Sequence, residues 1–325
     1  MELNSALGIR IDPTRLFYYK MTKSKEKVQV EYIHMEQTKY DQIYYIEVWS
    51  KVLNKYTVES PIYDLGDISR QQYVDYFVRS FLKSRTTADN IKIVDFGAGN
   101  WLYLGTILQA INDYNDITEE PKKFEIIGVD YSKQALEFGK LKFQNLIPNN
   151  VKILTHVGDI NHIAQMMEKS SFDLIIAMET MEHLYRDWEF IEIASKLLKN
   201  DGRIVISVPN NSPFFLSKNW FIYTFCRKKF SQKDENVGHL RRYSIKMIGE
   251  MAHKFGMQLS ETKCYGFFLS DYLKSMLRMK EKCFKKIFPT SFRLCKRIVQ
   301  LENKFYNKIS VKHSEGFFCV LTKRG

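Results

Sequence analysis

The chain has 325 residues, 45% of them hydrophobic and 14% aromatic, with a formal net charge of +12; that suits one large domain or one domain with substantial additions. No run of 18 apolar residues occurs, and the first twenty residues lack an apolar stretch after a basic start, so neither a membrane span nor a secretory signal is expected. Between residues 271 and 312, twelve Lys or Arg against three acids supply +9 of the charge, whereas a global nucleic-acid binder spreads or stripes its charge over the fold.

Residues 1–90 read as a polar, Tyr-rich helical extension, with helix-like spacing over 41–55 and over 69–84, where Tyr73, Phe77 and Phe81 recur. A regular alternation then begins. Ile91-Lys-Ile-Val94 is an apolar strand that stops at Asp95 and turns through Gly97 and Gly99, a turn that brings bare backbone against a ligand. Leu104, Ile107, Leu108 and Ile111 keep the spacing of an amphipathic helix, and 113–123, with Pro121, reads as a surface loop. A second strand over 125–129 ends at Asp130, and Ser132 is a candidate N-cap for the helix behind it. A third strand over 151–157 is followed by Asp159, and a fourth over 172–177 by Glu179.

Phe190, Ile193, Ala194 and Leu197 mark the next helix, which stops at Asn200-Asp201-Gly202 before a fifth strand over 203–208. A helix capped by Ser244, a strand near 258–265 and a strand over 316–322 follow. Five strands separated by helices predict an α/β fold, a doubly wound parallel sheet whose strand ends converge on one crevice. The sheet domain is assigned to 91–325, with insertions at 212–237 and 269–312. Five cysteines, odd in number and with no Cys-x-x-Cys, point to ordinary thiols in a reducing, cytoplasmic setting.

A dinucleotide fingerprint requires a third glycine where Leu102 stands, and an acid about 20 residues on, whereas Asp130 lies 33 residues after Gly97. The order Asp95-Phe-Gly97-Ala-Gly99 instead resembles motif I of the class I S-adenosylmethionine-dependent methyltransferases. Val129-Asp130-Tyr131-Ser132 looks like the acid of that family's second strand, and Gly158-Asp159-Ile160 is similar to its adenine motif. Leu197 to Gly202 followed by Ile204 to Pro209 looks like its approach to the fifth strand. The resemblance covers roughly 91–255 and a closing strand pair, and implies a Rossmann-like sheet, mostly parallel, with an antiparallel closing strand. It also implies that adenosylmethionine is held by Asp95, Gly97, Gly99, Asp130 at the ribose, Tyr131 and Ile160 beside the adenine ring, Asp159 at its amino group, and Glu179. The family's usual third glycine is Trp101 here, so the indole must point away from the cofactor's methionine end or wall it in.

Glu179-Thr-Met-Glu182-His183 is similar to a string of the ubiquinone-biosynthesis-type O-methyltransferases, and Gly238-His239-Leu240-Arg241-Arg242-Tyr243-Ser244 to one found in many bacterial members. In the quinone branch and in small-RNA terminal 2′-O-methyltransferases, Glu-x-x-Glu-His supplies divalent-metal ligands. The resemblance therefore offers Glu179, Glu182, His183 and His239 as candidate ligands for a cation such as Mg. The plainer alternative has Glu179 border the cofactor while Glu182 and His183 cap the next helix. For catalysis the candidates are His183, His239 and Glu182, an imidazole being the best-suited base for an oxygen acceptor.

The expected acceptor is a small, partly apolar or lipid-linked metabolite methylated on oxygen; the alternatives are an RNA 2′-hydroxyl and adenosylmethionine binding without catalysis. Phe214, Phe215, Trp220, Phe221, Tyr223 and Phe225, followed by Arg227–Lys229, read as a substrate lid, a membrane contact or a packed cap. In 269–312, Leu273, Met276, Leu277, Phe284, Ile287 and Phe288 form apolar stripes amid Lys and Arg. Such a segment lies peripherally on anionic membranes, binds phosphate-rich polymers or solvates an exposed face.

Overall fold

The computed structural model describes residues 65–85, 90–118, 122–211, 239–266, 297–298, 301 and 314–324. The expected helix over 41–55, the aromatic cluster of 214–225 and nearly all of 269–312 lie outside them. In chain order the elements are α1 (Leu65–Lys83), β1 (Asn90–Phe96), α2 (Leu104–Asn115), β2 (Lys123–Asp130), α3 (Lys133–Phe143), β3 (Val151–Val157) and α4 (Ile160–Met166). They continue with β4 (Phe172–Met178), α5 (Asp187–Leu197), β5 (Leu198–Pro209), α6 (Ile245–Lys254), β6 (Met257–Tyr265) and β7 (Gly316–Lys323). Among the described residues, no helix is long and apolar enough to cross a membrane.

The seven strands form one sheet in the order β3-β2-β1-β4-β5-β7-β6. β1 to β5 are mutually parallel, and β7 enters antiparallel between β5 and β6. This is the expected Rossmann-like sheet with its antiparallel closing strand. Residues of α1, α2 and α3 pack on one face and those of α4, α5 and α6 on the other. Buried on both faces, β4 is apolar at six of its seven positions, as a central parallel strand must be. The strand order reverses between β1 and β4, and the carboxyl ends of those two strands open the crevice where such sheets bind ligands.

Local chemistry starts the helices where the sequence predicts. Ser132 and Ser244 each accept a hydrogen bond from the N–H three residues on, Ala135 and Met247, at 3.2 Å. The largest boundary difference is at β5: the chain is already extended at Leu198, and Asn200 to Gly202 fall in an irregularity where β4 pairing jumps from Leu198 to Arg203. α1 joins the same core, with the Tyr73 and Phe77 rings 5.2 and 5.7 Å from that of Phe318 in β7.

Trp101 points away from the crevice. It adopts φ 59°, the left-handed conformation that favours glycine, yet its side chain is wholly buried in the α1–α3 face. Gly128 of β2 and Gly139 of α3 make the room: a Cβ at either would come within 2.2 and 2.6 Å of the indole. Burial of an indole offsets the local backbone strain.

Candidate active site

The loop after β1 is shaped by what lies beneath it. Gly97 has φ 77° and Gly99 φ 52°. A side chain at Gly97 would meet the Thr180 hydroxyl at 2.3 Å, which itself donates to the Phe96 carbonyl at 3.0 Å. The two loops at the switch point are thereby tied together. Asp95, one residue before the end of β1, is fully buried, its Oδ2 without a hydrogen-bond partner. Burial, and the neighbouring Asp130 carboxylate, push its pKa up to about 8.

Asp130 closes β2 with both oxygens engaged by backbone: Oδ2 accepts from Gly99 N–H and Oδ1 from Ser132 N–H, each at 2.9 Å. Asp159 caps α4 by accepting from His162 N–H at 2.8 Å, and its other oxygen accepts from the Tyr131 hydroxyl. Ile160, the first residue of α4, is buried in the opposite face of the core. The ends of β1, β2 and β3 thus bring Asp95, Asp130, Tyr131 and Asp159 to one edge of the sheet.

After β4 the candidate residues divide into two groups. Glu179, at φ 51°, turns toward β5 and β6. Its Oε1 accepts from Ser207 Oγ at 2.9 Å and from the buried Tyr265 hydroxyl, and its Oε2 pairs with Arg70 of α1 at 3.1 Å. Ser207 also accepts from Glu179 N–H through its carbonyl and its hydroxyl oxygen, each at 3.0 Å, which holds the strained backbone in place.

Glu182 instead lies with His183 and His239. The ligand atoms of these three lie within 4.8 Å of one another, the two imidazole centroids are 5.0 Å apart, and His239 Nε2 is 3.8 Å from Glu182 Oε1. Glu179 is not in this group. The Glu182 carboxyl is fully buried with no hydrogen-bond partner for either oxygen. Burial first, and then the charge on Glu179, raise its pKa well above the ordinary carboxylate range. A buried acid with two imidazoles beside it suits either a cation or a proton relay.

The sequence matches the methyltransferase-domain family over residues 87–281, more than half of the chain. The protein belongs to that family. It is an S-adenosylmethionine-dependent methyltransferase, with the fold and donor that its motif order implies. A ubiquinone biosynthesis O-methyltransferase of Pelagibacter ubique is 25% identical over 173 residues, 51% of this chain and 65% of that relative, just under two thirds of its length. The magnesium protoporphyrin IX methyltransferase of Synechocystis, solved with bound SAH, matches at a TM-score of 0.53 and 12% identity, over 90% of this chain and 99% of that one. The second likeness shows the fold alone.

Adenosylmethionine fits the methyltransferase's crevice on one further ground. The orphaned, buried Asp95 oxygen calls for a donor or a cation, and the methyl donor carries both an ammonium and a sulfonium. Sequence reasoning missed Arg70, Ser207 and Tyr265 around Glu179, since no local pattern announces a partner that folding brings from elsewhere. Tyr243 stood inside a quoted string without a role.

Proposed function

We propose that this methyltransferase methylates an oxygen of a small, partly apolar or lipid-linked metabolite. The observation that carries the reading is the Glu182–His183–His239 group, built where the fourth strand faces an acceptor. The partial match to an enzyme named for ubiquinone biosynthesis agrees with it.

Asp95, Gly97, Gly99 and Asp130 hold the cofactor, with Tyr131, Asp159 and Ile160 at its adenine end. Bound there, adenosylmethionine supplies a methyl on a sulfonium, a leaving group that needs no protonation, so most catalysis is alignment in a closed site. As the acceptor oxygen takes the methyl group, an imidazole nitrogen of His239 or His183 would take the hydroxyl proton. Glu182, with Oε1 3.8 Å from His239 Nε2, orients that imidazole. The same three side chains suit a divalent cation, which when bound lowers the pKa of an acceptor hydroxyl. Glu179 borders the cofactor and stays outside that set. Residues 269–312, basic and striped with apolar side chains, would bring the enzyme to an anionic membrane where a lipid-linked acceptor resides.

The test is methyl transfer from labelled adenosylmethionine to an alkyl catechol and to a short RNA, with and without Mg. Product on the catechol is expected. Product on RNA alone overturns the acceptor class, and tight NAD binding without any adenosylmethionine response in calorimetry overturns the cofactor assignment.

A further inference from the structure

The segment that carries His239 is fastened along the loop after β4. Leu240 N–H donates to the Glu182 carbonyl at 2.8 Å, and Arg241 Nη2 to the Tyr185 carbonyl at 3.1 Å. The Arg241 guanidinium also pairs with Asp187 Oδ1. The Tyr243 hydroxyl lies 2.8 Å from Asp187 Oδ2 and 3.0 Å from the Met181 carbonyl. From its other side Tyr243 is stitched to the end of β5: its N–H donates to the Pro209 carbonyl at 2.9 Å, and its carbonyl accepts from Asn211 N–H at 2.8 Å.

This bond is unlike a surface contact. The Tyr243 side chain has no exposed surface, and Asp187 is also buried. Burial, then the Asp187 charge, push the phenol's pKa upward, so the hydroxyl keeps the proton it donates. Asp187 opens α5, and Met181 to His183 form the turn just before it. The Tyr243 hydroxyl therefore ties the turn carrying Glu182 and His183, and the helix start behind it, to a residue four positions after His239.

We propose that Asp187 and Tyr243 are a positioning pair for methyl transfer: their bond sets the register of residues 239–243 against residues 181–183 and so holds the His239 imidazole beside Glu182 and His183. The inference rests on the proposed role of those three residues in handling the acceptor. The physical reason is reach. His239 Nε2 already stands 3.8 Å from Glu182 Oε1, and a slip of about 1 Å takes the pair out of any shared contact, a displacement worth roughly a hundredfold in rate. Without the hydroxyl, Asp187 Oδ2 loses its donor while Arg241 retains the other oxygen. The charge pair and the backbone bonds then survive, while the Tyr243 end of the segment loses its side-chain tie to Met181 and Asp187.

Tyr243→Phe removes one oxygen atom and keeps the buried ring; Asp187→Asn keeps an acceptor in place and serves as the conservative variant. Three readouts apply to the full chain: adenosylhomocysteine affinity by calorimetry, kcat and KM with an alkyl catechol, and the NOE between the imidazole protons of His183 and His239 in histidine-labelled protein. For Tyr243→Phe the expected result is adenosylhomocysteine affinity within about twofold, kcat reduced about tenfold to a hundredfold, KM for adenosylmethionine unchanged and a weakened NOE. Asp187→Asn is expected to fall between that variant and the parent.

Wild-type kcat together with a wild-type NOE in Tyr243→Phe overturns the proposal, even if the melting temperature falls. If the parent enzyme turns over no catechol, the oxygen-acceptor reading fails separately and the NOE alone decides: weakened supports the positioning pair, unchanged overturns it.

Discussion

Arg70 Nη1 stands 3.1 Å from Glu179 Oε2 and joins a helix preceding the first strand to the residue that ends the fourth. Glu179 is partly buried and already accepts from Ser207 and Tyr265, so Arg70 supplies the only positive charge on that carboxylate among the described contacts. Its guanidinium also lies 5.6 Å from the centroid of the Tyr265 ring. Arg70→Met should cost about 1–3 kcal/mol in denaturant unfolding, the price of leaving a charged acceptor under-partnered. The same substitution in a Glu179→Gln background should cost less. Equal costs in the two backgrounds would mean that the pair is not coupled.

With Asp95 in the proposed cofactor site, adenosylmethionine binding should release a proton. In the unfolded chain its pKa is about 4, whereas the folded, ligand-free protein holds it at about 8. The folded state keeps a proton that the unfolded chain loses, so this residue's contribution to stability falls as pH rises from about 4 to about 8. A cation bound beside Asp95 favours the carboxylate and expels the proton at pH 7. Calorimetry in phosphate and in Tris should then give different apparent enthalpies, and Asp95→Asn should erase the difference. Identical enthalpies in both buffers for the parent protein refute the assignment.

Gly128 is a glycine because of Trp101. A methyl there would sit 2.2 Å from the indole, so Gly128→Ala should destabilise by about 1–3 kcal/mol through overpacking. Trp101→Ala should cost about 3–5 kcal/mol from the cavity it leaves. The double variant should be more stable than the sum of the single costs implies, since the new methyl enters the vacated space. Additive costs, measured by chemical denaturation, would place the indole elsewhere.

Substitution of His239 should separate binding from chemistry. His239→Ala should lower methyl transfer to the catechol about a hundredfold or more with cofactor affinity unchanged. Turnover at the parent rate removes His239 from the reaction and leaves His183 as the base.

Residues 269–312 should carry the protein onto anionic vesicles at low salt and release it at high salt, as their +9 charge demands. Absence of co-sedimentation at low salt rules out the membrane contact.

Much of the site was readable along the chain because its signals are local. Asp95, Asp130 and Asp159 each follow a run of strand residues, Ser132 and Ser244 precede amphipathic helices, and glycines mark turns whose backbone only they adopt readily. Glu179 shows the limit. The string Glu-x-x-Glu-His suggested one ligand set, but Glu179 takes a positive φ and hydrogen-bonds across the sheet, while Glu182 and His183 follow on a tight turn facing His239. A one-dimensional spacing cannot say which way a turn throws each side chain.

By itself, then, the sequence determined a doubly wound sheet and the class of enzyme, since strand periodicity, caps and glycine turns act within a few residues. Only the tertiary structure decided what surrounds them. Arg70 meets Glu179 across 109 positions, and Tyr243 meets Asp187 across 56. Trp101 sinks beneath the loop because glycines in β2 and α3 leave it space. Such pairings are set when apolar faces bury against one another and bring distant polar groups within bonding distance, and no local pattern in the chain encodes that meeting.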